Sequence, residues 1–178
     1  MSPAAAPTLE GWLLGISRAE SPVNQPLTLG LSEEAISAVA EAGIHNPDSP
    51  LFAIGFSSGP GVSQPYTQFG AQHGMGYFAV DDDVWQVFDA AEAQGDFWQI
   101  NSQAIEEAVT QRRIFVLNVP YARVESATRS FSLPEIRLIE MGGYVGRNIG
   151  GHDILVPIEL LDSYQSIIAT VAPDLLAP

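Results

Sequence analysis

Apolar residues in this chain recur at two periods, and the change from one to the other marks out its elements. Ile36, Val39 and Ala40 repeat at helical spacing between Ser32, a plausible N-cap, and Gly43. Glu33 and Glu34 suit the positive end of the helix dipole, so a helix is predicted over about Ser32 to Ala42. Leu51-Phe-Ala-Ile54 follows the turn cluster Asn46-Pro-Asp-Ser-Pro50 and predicts a short buried strand. Gly55 to Gly74 is rich in Gly, Ser, Pro and Gln and predicts a long loop, which in a compact domain is more often functional than filler. Gly76 to Val80 predicts another strand, and Val84 to Ala93 a helix with Val84, Val87, Phe88 and Ala91 on one face.

A third helix is expected over Ser102 to Gln111, with Ile105, Ala108 and Val109 inward and Arg112 and Arg113 complementing its dipole. Ile114-Phe-Val-Leu-Asn-Val119 is the strongest strand signal and predicts a central strand, with a polar loop from Tyr121 to Ser130 behind it. In Phe131 to Glu140, Ile136 and Leu138 alternate with Glu135, Arg137 and Glu140, which predicts a strand carrying charges on one face. A Gly-rich turn and an apolar strand, Ile154 to Ile158, come next. Leu160 to Val171 closes the chain as a helix with Leu161, Tyr164, Ile167 and Ile168 as its stripe. The alternation of both periods predicts an α+β domain over residues 32–178, with residues 1–31 a Pro/Ala/Ser-rich extension.

Charge narrows the partners. The net charge is −14, from 21 acidic residues against seven basic ones, and all seven are arginines. A chain this negative gains nothing electrostatically from nucleic acid or an anionic membrane surface. The missing lysines have two readings, a GC-rich genome that writes Arg for Lys, or selection against ubiquitin-acceptor amines in a protein working inside a eukaryotic host. Cysteine is absent, which excludes disulfides, zinc ribbons and thiol catalysis. The first residues lack the basic region of a secretory signal, Trp12 to Ile16 is too short to cross a membrane, and Ser2 replaces the Gly of a myristoylation motif.

Candidate chemistry is sparse. His45, His73 and His152 stand far apart in no ligand spacing, so no metal is expected; His73 or His152 could act as a base, against solvated or capping roles. Asp81-Asp-Asp83 sits where cap and dipole partners belong rather than in a metal-binding loop. No nucleophile elbow, P-loop or dinucleotide fingerprint occurs.

Four stretches, in order, resemble the mono-ADP-ribosyltransferase domains of cholera- and pertussis-type toxins and related secreted bacterial effectors. Leu51-Phe-Ala53 resembles the opening strand, Gly76 to Asp81 the strand of the Ser-x-Ser motif, and Ile114 to Pro120 the central strand. Glu135-Ile-Arg137, followed by Gly142-Gly143-Tyr144 and Asn148-Ile149-Gly150, resembles the Glu-x-Glu strand and the turn after it. The resemblance covers about residues 50–158 and implies a split β-sheet core flanked by helices, with the substrate-binding positions at Ala53, Ala79, Asp81, Glu135 and Arg137.

The departures are chemically severe. Ala53 replaces the family's phosphate-gripping arginine, Ala79 and Asp81 replace the two serines, and Arg137 replaces the catalytic glutamate. A guanidinium repels the oxocarbenium-like cation that a carboxylate would stabilise, and it cannot accept a proton. Loss of the arginine also removes a bidentate anion contact. The resemblance therefore implies a secreted bacterial effector with a degenerate transferase fold, delivered into a host cell, needing no cofactor and binding a host protein or ligand. The first alternative is a live ADP-ribosyltransferase or NAD glycohydrolase with a relocated acid, Glu125 or Glu140, and NAD as its substrate. The second is an unrelated α+β binding module, favoured if Leu51–Ala53 and Glu135–Arg137 do not lie in neighbouring strands.

Overall fold

The computed structural model describes residues 30–90, 94–127 and 130–177, so the expected extension over residues 1–31 lies almost wholly outside the described residues. The described residues form an α+β fold with two separate sheets and divide into two compact units, one holding residues 30–43 and the described part of 80–103, the other residues 44–79 and the described part of 104–177.

In the first unit, helix α1 (Glu33–Ala42) starts as its sequence predicts, with Ser32 Oγ accepting from the Ala35 N–H at 3.2 Å and Ala35, Ile36, Val39 and Ala40 buried. Helix α3 (Asp82–Ala90) has Asp82 and Asp83 in its first turn and buries Val84 and Phe88. Helix α4 (Gln94–Thr110) starts well before Ser102 and runs on into the second unit. Phe97 on it packs edge-on against Trp85 and Phe88, at centroid distances of 4.7 and 5.6 Å.

The second unit is built on a four-stranded sheet. Strands β2 (Leu51–Ile54) and β4 (Ile114–Leu117) pair in parallel, from Leu51 opposite Ile114 to Ile54 opposite Leu117. Strand β6 (His152–Pro157) runs antiparallel to β4, and β5 (Tyr144–Ile149) antiparallel to β6, giving the order β2-β4-β6-β5. Every residue of β2 and β4 is buried, which is why both read as unbroken apolar runs: each face of the strand has a layer against it. Leu51, Ala53, Ile114, Val116, Ile154 and Val156 cluster with Phe69 of α2 (Tyr66–Gln72), Ile168 of α7 (Tyr164–Val171) and Leu175. Phe52, Phe115 and Leu155 alternate onto the other face, where Phe115 meets Phe52 and Tyr144 edge-on at 5.6 and 5.5 Å. A small sheet pairs β1 (Ile44–His45) with β3 (Tyr77–Phe78).

Several expected elements take a different form. The segment expected as a charged strand is helix α6 (Ser132–Met141). Ile136 and Ile139, three apart, are its buried pair, whereas Leu138, which the alternating pattern requires inside, is only half-buried. Pro134 stands in the first turn, where its missing N–H costs nothing, and Gly143 (φ +85°) turns the chain out of the helix. The Gly-rich turn after it is strand β5, and the loop expected over Tyr121–Ser130 holds helix α5 (Tyr121–Ser126). The loop expected over Gly55–Gly74 ends in α2, and the closing helix splits into a 3-10 turn (Ile158–Leu160) and α7. The N–H groups of Arg112 (φ +56°) and Arg113 bond back to the Val109 and Ala108 carbonyls and close the end of α4, while the two guanidinium groups reach elsewhere. Arg112 reaches Glu159 and the Gly142 carbonyl, and Arg113 is buried over the Phe52 ring, donating to the Pro47 carbonyl.

Candidate functional site

The positions singled out by the resemblance lie on a buried strand, a helix and the stretch after β3. Ala53 is fully buried on β2, and Gly70 of α2 packs on it so closely that a Cβ added at Gly70 would stand 3.0 Å from the Ala53 Cβ. No room remains there for a long cationic side chain. Glu135 and Arg137 lie on α6, not on a strand beside β2, and they point apart: Glu135 is 9% exposed while Arg137 is solvent-exposed. Two residues apart on a helix face different sides, whereas on a strand they share one. Glu125 on α5 and Glu140 on α6 are both exposed. Ala79 is half-buried beyond β3, its carbonyl 3.3 Å from His45 Nε2, and Asp81 belongs to the first unit, exposed ahead of α3.

Glu135 does reach a polar cluster at the carboxyl ends of the parallel pair β2 and β4, the end of an α/β sheet where ligands commonly bind. Asn118, just past β4, accepts from the Phe56 N–H at 2.9 Å and donates to the carbonyls of Phe56 and Gln64, both at 2.8 Å. Ser132 Oγ donates to the Gly55 carbonyl at 3.0 Å, which fixes the start of α6 against the end of β2. The Tyr66 hydroxyl donates to the Phe78 carbonyl at 2.6 Å. Burial first, then the nearby Glu135 carboxylate, hold that hydroxyl well above the ordinary tyrosine range, so it stays protonated. These hydrogen bonds tie loop 55–66 to the end of β4, to α6 and to β3. Asn118, Ser132 and Tyr66 are thus bonded to backbone groups and hold the loop.

Two histidines far apart in sequence come together at the same sheet. His73 follows α2 and His152 opens β6, and both rings pack on Phe69, at centroid distances of 4.9 and 5.4 Å. His73 Nδ1 lies 2.7 Å from Asp174 Oδ2, close enough for an ion pair though outside hydrogen-bond alignment. Burial, reinforced by His73, holds the His152 imidazole below its ordinary range against a backbone bond to Leu117 and the opposing charges of Asp153 and Asp174. The grouping joins α2, β6 and the 3-10 turn Pro173–Leu176. Nothing local in the sequence marks it, because its members are brought together only by the sheet.

Among the described residues no group of His, Asp and Glu has the arrangement to hold a metal ion, and no helix is long and apolar enough to cross a membrane. Fold and site thus define a small α+β domain with split sheets. No family model matches the chain, and it matches no curated protein and no solved structure at a significant level.

Proposed function

We propose that this chain is an effector-like binding protein of bacterial origin, which engages a host protein instead of performing conventional NAD-dependent ADP-ribosyl transfer. The observation that carries the proposal is the helical state of Glu135–Arg137. A transferase of the kind the sequence resembles holds its two acidic positions on a strand, side by side in the cleft, and here one is buried and the other is a cation in solvent. This favours an α+β binding module over a live enzyme. The closed packing of Gly70 on Ala53 supports the same view, since it leaves no place for a phosphate-gripping guanidinium. A lysine-free chain of net charge −14 fits work inside a eukaryotic cell on a protein partner better than work on nucleic acid or an anionic membrane. Incubation with NAD, alone and with host-cell lysate, tests the proposal: no nicotinamide is released above background. Sustained release that depends on Glu125 or Glu140 would instead establish the enzyme with a relocated acid.

A further inference from the structure

We infer that the outer edge of β5 is a strand-addition site that takes an extended, positively charged segment of a partner protein. This deepens the partner-binding proposal by naming the surface.

The register settles which backbone groups face outward. The Ile158 N–H donates to the Gly143 carbonyl at 3.1 Å, so residues 143 and 158 form a hydrogen-bonded pair. Bonded and non-bonded pairs alternate along an antiparallel ladder, which makes Val145–Val156, Arg147–Ile154 and Ile149–His152 the bonded pairs. The connection at the other end agrees. Gly150 (φ +56°) and Gly151 (φ +84°) form a two-residue turn of the I′ kind, whose closing pair, Ile149 and His152, is a bonded one. Pro157, which has no N–H, stands opposite Tyr144 in a non-bonded pair, where it forfeits nothing. It follows that Tyr144, Gly146 and Asn148 turn their N–H and C=O groups away from β6.

Among the described residues no strand pairs with that side. Gly146, Arg147 and Asn148 are exposed, and a Cβ added at Gly146 would meet nothing within 4 Å. The Gly146 carbonyl accepts from the exposed Arg147 side chain at 2.8 Å, a cover that a partner's N–H can displace. The strand carries one charge and no proline, few of the devices that keep sheet edges from pairing. At the end where β5 starts, Met141 and Ile158 are 85% and 56% exposed, and they offer apolar contact to a segment laid along the edge. The main chain of the partner supplies the ladder bonds, and alternate side chains supply specificity.

Charge selects the occupant. A second copy of this chain would bring another −14 against the −14 already present. A cationic segment gains from the field of the whole molecule.

Amide exchange followed by NMR tests this on the full chain, with a short end-blocked peptide of alternating Val and Arg as the probe and its Val/Glu counterpart as control. In the free protein the Val145, Arg147 and Ile149 amides are expected to be protected and those of Gly146 and Asn148 to exchange freely. Saturable binding of the Val/Arg peptide then slows Gly146 and Asn148. Gly146→Pro removes one outward donor and leaves the β5–β6 ladder intact, so it keeps the thermal midpoint while weakening the peptide by about tenfold or more. If that variant does not fold, Met141→Ser with Ile158→Ser serves, weakening the peptide without touching the strand. Protection of Gly146 and Asn148 in the free monomer, concentration-dependent protection from self-association, no saturable binding, or equal binding of the Val/Glu peptide each overturns the inference. Nicotinamide release would overturn the proposed function and leave the edge result standing, so the two failures are distinguishable.

Discussion

Ala53, Asn118 and His152 each carry a consequence that can be measured at a single residue. Ala53→Arg would force a cation into a space closed by Gly70, combining overpacking with burial of an unpaired charge. The variant should lose more than about 3 kcal/mol in denaturant unfolding. A folded Ala53→Arg protein that gains NAD affinity would mean the site is an open cleft. Asn118 satisfies two groups of Phe56 and one of Gln64. Asn118→Ala should therefore cost about 2 kcal/mol, read from the same unfolding curves, with loop 55–66 becoming sensitive to proteolysis; a loss under a few tenths would show that water replaces the amide at no cost. The third case depends on pH. The folded chain holds the His152 proton less tightly than the unfolded chain, whose reference value is 6.5. Below that value the unfolded state takes up more protons, so this contribution is complete above pH 6.5 and is lost as pH falls. Stability should fall as the pH drops through and below 6.5, and His152→Gln should flatten the fall. Glu159, paired with Arg112 and drawn from 4.5 to about 2, acts in the same sense but in a more acidic window, so the two separate. An unchanged slope in His152→Gln would assign the effect elsewhere.

Elements show where the amino-acid pattern suffices and where it does not. α1 is legible because Ser32, Glu33, Glu34 and Gly43 are local signals that agree with the spacing of Ile36, Val39 and Ala40. β2 and β4 are legible because full burial leaves no polar break in either run. α6 fails because Ile136, Leu138 and Ile139 fit both periods, and Glu135, a dipole partner in the first helical turn, reads equally well as one face of a strand. β5 fails because Gly146, Arg147 and Asn148 are exposed and carry no apolar alternation; its pairing to β6 defines it. The candidate site inherits the first error, since a two-residue spacing means one face on a strand and two on a helix. The grouping of His73, His152 and Asp174 has no local signature. The turn between β5 and β6 makes its own prediction. Gly150 has φ +56°, and an added Cβ would strike the Leu175 carbonyl. Gly150→Ala should cost about 2 kcal/mol or more, from left-handed strain plus displacement of the Pro173–Leu176 turn; a change within about 0.5 kcal/mol would show that this turn does not rest on the hairpin.

For the whole molecule, Asn118, Ser132 and Tyr66 are used to hold loop 55–66, and the sequence as a whole is strongly acidic. Arg112 shows the pattern on the rim: it bridges Glu159 and the Gly142 carbonyl while its guanidinium lies 4.9 Å from the Tyr144 ring centroid. Under the proposed function the chain binds a protein partner and does not turn over NAD. Calorimetric titration of the full chain with NAD, followed by chromatography of the same sample for free nicotinamide, tests it most directly. No saturable heat and no nicotinamide is the predicted result. Stoichiometric binding with steady nicotinamide release would contradict it.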